Sequence, residues 1–288
     1  MALTVAQGFE TFLTRLVPLE SQRVAASKHR ASVEASLKNT LDVQLFRETG
    51  SFNHGTGIRG HSDVDLLVSL KGKPGTSATA LDHVKSALSV SFPHTTVRIS
   101  RPAVVVEFNS GQETWEIIPG YRKSGKDEPA LYDIPGVGSV DWMESAPLEH
   151  IAYVNEVNHK SGISGGAKKL ARLAKAWKYL NNVPMSSFYL EMRAAQYLAG
   201  EKFFEPGEDI CRLLESLIKN NLGPMNDPKG VTSRFYACST TAKGEDTLSK
   251  AQTGATRARK AVEATKASNS DHAFHYFDLL FGGKFPTR

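Results

Sequence analysis

Two carboxylates one residue apart, Asp63 and Asp65, stand at the start of the apolar run Val64-Asp65-Leu66-Leu67-Val68-Ser69-Leu70. On a strand, successive side chains alternate between faces, so Asp63 and Asp65 share one face while Val64 points to the other. Neighbouring carboxylates repel each other, and burying them unpaired is costly. The pair therefore invites a divalent cation. Carboxylate oxygens are hard ligands suited to magnesium, which keeps part of its shell for water and substrate phosphates. An isolated acid pair of this spacing more often caps a turn in solvent. Here, however, a glycine-rich stretch opens upstream at Gly50-Ser51, with Gly55, Gly57 and Gly60 close behind. A helix starting at Ser51 would offer backbone N–H groups to an anion. Metal-holding acids beside a phosphate-cradling turn are the parts that phosphoryl transfer requires.

The elements that must position these residues can be read from periodicity. Apolar positions at helical spacing (Val5, Phe9, Phe12, Leu13, Leu16) predict a helix that Pro18 breaks. A long Ala- and Ser-rich helix follows from about Glu20 to Leu41, with Val24, Val33 and Leu37 as its sparse apolar stripe. Strands are expected at Val43 to Arg47, Val64 to Leu70, Thr95 to Ser100, Ala103 to Phe108 and Thr114 to Ile118, with a helix over Thr79 to Val90. Pro119 is expected to end the sheet, and residues 120–146, rich in Gly, Pro and Asp, to form a surface excursion. Beyond Pro147 the period becomes 3.6, which predicts helices near 147–159, 164–182, 186–199, 207–221, 243–267 and 271–281. The expected architecture is α+β, with a sheet-bearing part over 1–150, a helical part over 151–288 and a crevice between them.

Bulk properties narrow the class. The 288 residues are 40% hydrophobic and 23% charged, close to soluble globular averages. No apolar run approaches the roughly 20 residues of a membrane helix. The start, MALTVAQGFETFLTRL, lacks a basic and apolar leader pattern, so a cytoplasmic protein is expected. Two cysteines, Cys211 and Cys238, make neither a disulfide framework nor a structural zinc site. The net charge of +5 fits either a nucleic-acid surface or a polyphosphate pocket. Arg257, Arg259 and Lys260 form a small basic patch that faces solvent or a partner. Among nine histidines no pair has metal spacing with a partner acid; His54 and His61 flank the glycine loop, where solvent exposure is expected, and His272 and His275 fall in a packed helix.

The segment GSFNHGTGIRGHSDVDLLV resembles the nucleotidyltransferase signature of the polymerase-β-like superfamily, G-S followed by a short helix and then D-x-D on a strand. More specifically it resembles the bacterial cGAS/DncV-like nucleotidyltransferases (CD-NTases), relatives of cyclic GMP-AMP synthase and oligoadenylate synthase. In that family a third acid lies on a neighbouring strand before a proline, and Trp115-Glu116-Ile117-Ile118-Pro119 fits the pattern with Glu in place of the commoner Asp. A Glu reaches one methylene further, which bears on metal geometry and activity. Glu107, in Val105-Val106-Glu107-Phe108, competes for the role but lacks the proline. In the helix Lys168 to Lys178, Leu170, Leu173, Ala174 and Trp177 form the buried stripe, while Lys168, Arg172 and Lys175 share another face. A solvated basic face would look the same. The resemblance aligns Lys175 with a lysine that contacts the donor triphosphate, and Ser187, in Ser186-Ser187-Phe188-Tyr189, with a serine that meets the γ-phosphate. An ordinary N-cap serine is compatible with that role. The tail Leu280-Phe281-Gly282-Gly283-Lys284-Phe285-Pro286 resembles the family's closing motif, where Phe277, Leu280, Phe281 and Phe285 are expected to pack in the core.

The resemblance implies a polymerase-β-like fold with a long N-terminal helix. It also implies two magnesium ions, with manganese as a substitute, held by Asp63, Asp65 and Glu116 under the two-metal scheme. NTPs, ATP among them, would bind against Gly50, Ser51, Lys175 and Ser187, and pyrophosphate would leave as two nucleotides are joined. Closure of the linear product would give a cyclic oligonucleotide second messenger acting on an antiphage effector. No segment corresponds to a zinc-bearing DNA insertion, so DNA activation is not expected, and a monomer is expected. Two alternatives stay open: a transferase that modifies RNA ends or a protein, and an inactive nucleotide-binding module.

Overall fold

The computed structural model describes residues 3–123, 125 and 129–288. The chain divides into two compact units, Pro18–Ile151 and a second made of Met1–Val17 with Ala152–Arg288. The first helix is thus grouped with the helical residues rather than with the sheet.

The first unit carries seven strands among the described residues: β1 (Val43–Thr49), β2 (Val64–Leu70), β3 (Thr96–Ser100), β4 (Ala103–Phe108), β5 (Glu113–Arg122), β6 (Tyr132–Pro135) and β7 (Trp142–Ser145). Their order is β1-β2-β5-β4-β3, with β6 and β7 continuing from the far end of β5. β2 and β5 run parallel, and the other pairs are antiparallel. Alternation sorts the two faces. Val64, Leu66 and Val68 of β2, Trp115 and Ile117 of β5, and Val104 and Val106 of β4 join one buried core. Helices α2 (Glu20–Thr40) and α4 (Ser77–Ser91) supply Ala26, Val33 and Leu37, and Ala80, Leu81, Val84 and Leu88, to that core. Each such aliphatic side chain contributes about 1.5–3 kcal/mol on full burial. The polar side chains of β2 and β5 therefore have only the other face. A cross-brace fixes α2 against the sheet: His29 Nδ1 lies 2.9 Å from Glu113 Oε1, which also accepts from the buried Trp115 indole at 2.7 Å.

Two sequence expectations change here. Pro119 does not end the sheet, since β5 runs to Arg122 with Pro119 paired to Val68. The β4 ladder reaches only Ile117, so on that side the missing proline N–H interrupts nothing. Nor is 120–146 only a surface excursion, because β6 and β7 lie within it and Tyr132 and Ile134 pack on Leu67. Strands of four residues between Gly and Pro are too short to show a period.

The second unit contains α1 (Val5–Leu16), α6 (Gly166–Leu180), α7 (Ser187–Ala199), α8 (Pro206–Lys219), α9 (Thr241–Lys266) and α10 (Ser270–Leu280); α5 (Pro147–Asn158) runs across the boundary. α1 starts with a capping box between Thr4 and Gln7. Phe9 meets Phe277 and Phe285 at 4.7 and 5.0 Å between ring centres, and Phe12 meets Phe281 at 4.6 Å. The closing Phe-rich segment is core packing in the α1–α10 pair, as its spacing suggests. No described helix is long and apolar enough to cross a membrane.

Candidate active site

Strand register brings the expected acids together. Asp65 pairs with Glu116 across the parallel β2–β5 ladder, and Asp65 also faces Thr49 of β1. Glu116 in turn pairs with Val105, and Val105 with Arg98. Thr49, Asp65, Glu116, Val105 and Arg98 therefore form one row on one face of the sheet, at about 4.8 Å per strand. Asp63 lies two residues before Asp65 on the same side. Glu107 pairs with Thr114 and Thr96, one strand farther from β2 than Glu116. Its carboxylate accepts from Arg98 at 3.0 Å. The register thus favours Glu116 over Glu107 as the neighbour of the aspartates.

The electrostatics of this row are those of crowded acids. Burial pushes the Asp63 carboxyl above the ordinary range, with the Arg98 guanidinium opposing. Glu116 is raised by burial first and then by the charge of Asp63; Arg98 and a hydrogen bond with Asp65 pull the other way. Among the described residues no three His, Cys, Asp or Glu side chains already stand at metal-holding spacing. Instead the Asp65 and Glu116 carboxyls lie within hydrogen-bonding reach of each other across the ladder. The donor set is carboxylate oxygen throughout, on adjacent strands and half-buried. Such a set fits a hard divalent ion.

The turn before β2 fits an anion. Helix α3 (Gly50–His54) starts directly after β1, and its cap residue Thr49 gives the first turn no side-chain hydrogen bond. Gly50 has φ +64°, and a Cβ built there would overlap the Asp65 carboxylate. The backbone of the turn therefore passes directly against the acid. Ser51 Oγ donates to Ser62 Oγ at 3.3 Å, and Ser62 Oγ accepts from the Ile58 amide at 2.7 Å, folding the glycine loop back on α3. His54 is buried, at 4% exposed, rather than in solvent, because it ends α3 and not the open loop; His61 is exposed as expected.

In the second unit, Lys175 is 1% exposed and donates to Glu191 of α7 at 3.0 Å. The side chain that reaches Ser187 is Lys178, whose Nζ donates to Ser187 Oγ at 2.7 Å, with the Tyr179 hydroxyl 3.0 Å away. Capping of α7 falls to Ser186, which accepts from the Tyr189 amide, so Ser187 does not serve as the cap. Burial holds Lys178 below the usual lysine range, and the charge of Lys175 adds to the lowering. Burial also lowers Lys168, against Glu191 and with Arg172. Four cations share this patch with the carboxylate of Glu191. Crowded, half-desolvated cations suit a polyphosphate. Sequence reasoning missed Lys178 and Arg98. Lys178 follows Lys175 by three residues, so helical spacing carried a signal; Arg98 joins the row only through two strand registers, which no local pattern reveals.

A search of curated proteins by sequence finds no match. Solved structures do match along the whole length. They include CdnC of E. coli MS115-1 with ATP (18% identity, 99% of each chain, TM-score 0.77). DncV cyclic AMP-GMP synthase of Vibrio cholerae with the linear intermediate 5′ pppA(3′,5′)pG also matches (13% identity, 100% of this chain and 97% of that one, TM-score 0.78). So does the CD-NTase CdnG of Bradyrhizobium diazoefficiens with GTP (13% identity, 96% of each chain, TM-score 0.74). At these identities the likeness shows the fold, an α+β nucleotidyltransferase fold with a long helix before the sheet. The model of the Second Messenger Oligonucleotide or Dinucleotide Synthetase domain, SMODS, matches residues 3–158. That stretch holds Gly50, Ser51, Asp63, Asp65 and Glu116 and exceeds half of the 288 residues, so the chain belongs to the SMODS family of bacterial cGAS/DncV-like nucleotidyltransferases.

Proposed function

We propose that this chain is a magnesium-dependent synthase that joins NTPs into a cyclic di- or oligonucleotide second messenger for antiphage signalling, releasing pyrophosphate. The observation that carries the reading is the cross-strand pairing of Asp65 with Glu116 directly beside the Gly50 turn, within the SMODS stretch. Relatives bound to ATP, to GTP and to a linear pppA(3′,5′)pG support NTPs as substrates and a stepwise product.

The chain's residues divide the work. The first-turn amides of α3 at Gly50 and Ser51 hold donor phosphate oxygens, and Gly50 permits the approach because it has no side chain. Ser187 and Lys178 hold terminal phosphate oxygens. Lys175, nominated by its alignment, keeps Glu191 neutralised and sets the field around Lys178. Asp63, Asp65 and Glu116 would hold magnesium ions. Bound there, magnesium would supply charge neutralisation at the leaving pyrophosphate and a lowered pKa for the attacking ribose hydroxyl. Glu116, the ladder neighbour of Asp65, would also take up the hydroxyl proton. Positioning of the two nucleotides supplies much of the rate.

The test is incubation with α-labelled NTPs and magnesium followed by phosphatase. A resistant small product is expected, and none from Asp63→Asn plus Asp65→Asn. Synthesis retained in that double variant overturns the site. One observation favours a second reading, an NTP-binding module without turnover. Glu116 carries the longer arm at the third position and hydrogen-bonds Asp65. That reading expects NTP binding with no pyrophosphate released.

A further inference from the structure

Resting on that reading, we infer that Arg98, held by Glu107, binds the 5′-phosphates of the acceptor nucleotide and so selects phosphorylated acceptors. The inference starts from the order of strands. The phosphate-cradling turn lies at the β1 end of the acid row, Asp65 and Glu116 are in the middle, and β4 and β3 lie beyond. In-line displacement puts the attacking oxygen opposite the leaving pyrophosphate. If the pyrophosphate leaves over Gly50 and Ser51, the acceptor hydroxyl arrives from the β4–β3 side, past Glu116.

On that side the row continues through Val105, which is uncharged and 2% exposed, to Arg98. The acceptor, whether an NTP or a linear intermediate, carries its own phosphates over this part of the sheet, beside carboxylates that repel them. A cation is needed there. Arg98 starts two strands from Glu116 in the same row, and its guanidinium is held at Glu107, two residues along β4 from Val105 on that face. Nε donates to one Glu107 oxygen at 3.0 Å, and Nη2 lies 3.0 Å from the same oxygen in an ion pair. That tether holds the guanidinium on the β4–β3 side of the row. Nη1 has no protein partner among the described residues, and the Arg98 side chain is half exposed. A guanidinium presents donors in a fixed fork that matches phosphate oxygens, which gives recognition a geometry as well as a charge. Glu107, displaced by register from the third-acid role, acquires a purpose as the holder of this fork.

The experiment separates donor from acceptor chemically. Labelled 2′,3′-dideoxy-NTPs serve as donors that cannot accept. Nucleosides or α,β-methylene-NTPs, over the four bases, serve as acceptors that cannot donate. The wild-type protein is expected to prefer the triphosphate acceptor, and Arg98→Ala to reduce the preference about tenfold through KM, the scale of one lost charged hydrogen bond. Arg98→Lys should recover part of it. An unchanged preference in Arg98→Ala overturns the inference, as does an equal loss with both acceptors, which would mark a merely structural arginine. Absence of any dinucleotide from the wild-type protein would instead overturn the proposed function.

Discussion

Replacing Gly50 by alanine isolates the contact between the phosphate turn and the acid row. Two costs add at this position. The first is conformational: φ is +64°, where a side chain costs about 1–2 kcal/mol. The second is steric. The new Cβ would fall within the Asp65 carboxylate, and even Asp65 Cβ would lie 2.8 Å from it, closer than real Cβ contacts stand. Rotating the carboxylate cannot clear that contact, since Asp65 Cβ is fixed by strand pairing to both Thr49 and Glu116. Either the turn or the strand must shift. A misplacement of about 1 Å in a reacting constellation costs on the order of 10²-fold.

Gly60 supplies the control. It lies in the same loop with φ +76°, and a Cβ there meets nothing within 4 Å. Gly60→Ala should therefore lose about 1–2 kcal/mol of stability and keep pyrophosphate release within about threefold. Gly50→Ala should lose at least as much stability and about a hundredfold in release. Melting curves and pyrophosphate release from the four NTPs with magnesium, measured below the lower Tm, give both readouts. If the two variants kept similar activity, the close approach of turn and acid would have no catalytic meaning, and the reasoning from Gly50 would be refuted.

The other expectations concern charge and packing. Asp63 and Glu116 have raised pKa values when folded, so the folded metal-free chain retains protons that the unfolded chain releases, and their stabilising contribution is lost as pH rises through the raised values. Asp63→Asn should accordingly raise Tm in EDTA more at pH 8 than at pH 5; an equal effect at both would show that burial of the charge is not the cause. Glu113→Ala strands the buried Trp115 N–H and removes the partner of His29, a loss of about 1–3 kcal/mol in urea unfolding. Lys175→Ala removes the 3.0 Å ion pair to the buried Glu191 and should cost about 1.5–3 kcal/mol. Lys178→Ala should instead raise KM for NTP about tenfold at nearly unchanged Tm, and the reverse pattern would return the triphosphate role to Lys175.

How much of this was legible in the sequence depends on range. Elements with a clean period came within a few residues: α1 over Val5–Leu16, β2 over Val64–Leu70 and β4 over Ala103–Phe108. The alternation that puts Asp63 and Asp65 on one face is a property of a single strand, and it sufficed to find them. Glu116 came from a proline-bearing pattern, yet its proximity to Asp65 depends on a parallel register set by side chains far along the chain. The same proline misled in the next step, since a proline interrupts a ladder only on the side where a neighbour needs its N–H. Lys175 was placed with Lys168 and Arg172 on a face apart from the apolar stripe, yet it is buried while those two are only partly so. Whether a lysine there ends in solvent, on a ligand or on a carboxylate is decided by the partner helix, and Glu191 lies sixteen residues away in the sequence.

The two units carry complementary electrostatic imbalances. In one, burial raises the proton affinity of Asp63 and Glu116. In the other, burial lowers that of Lys168 and Lys178. Burial, which disfavours the charged form, is the largest cause each time, and like charge adds to it at Glu116, Lys168 and Lys178. Arg98 opposes the rise at both acids, and Glu191 opposes the fall at Lys168. Each unit taken by itself favours a ligand of opposite charge, a cation at the carboxylates and an anion at the lysines.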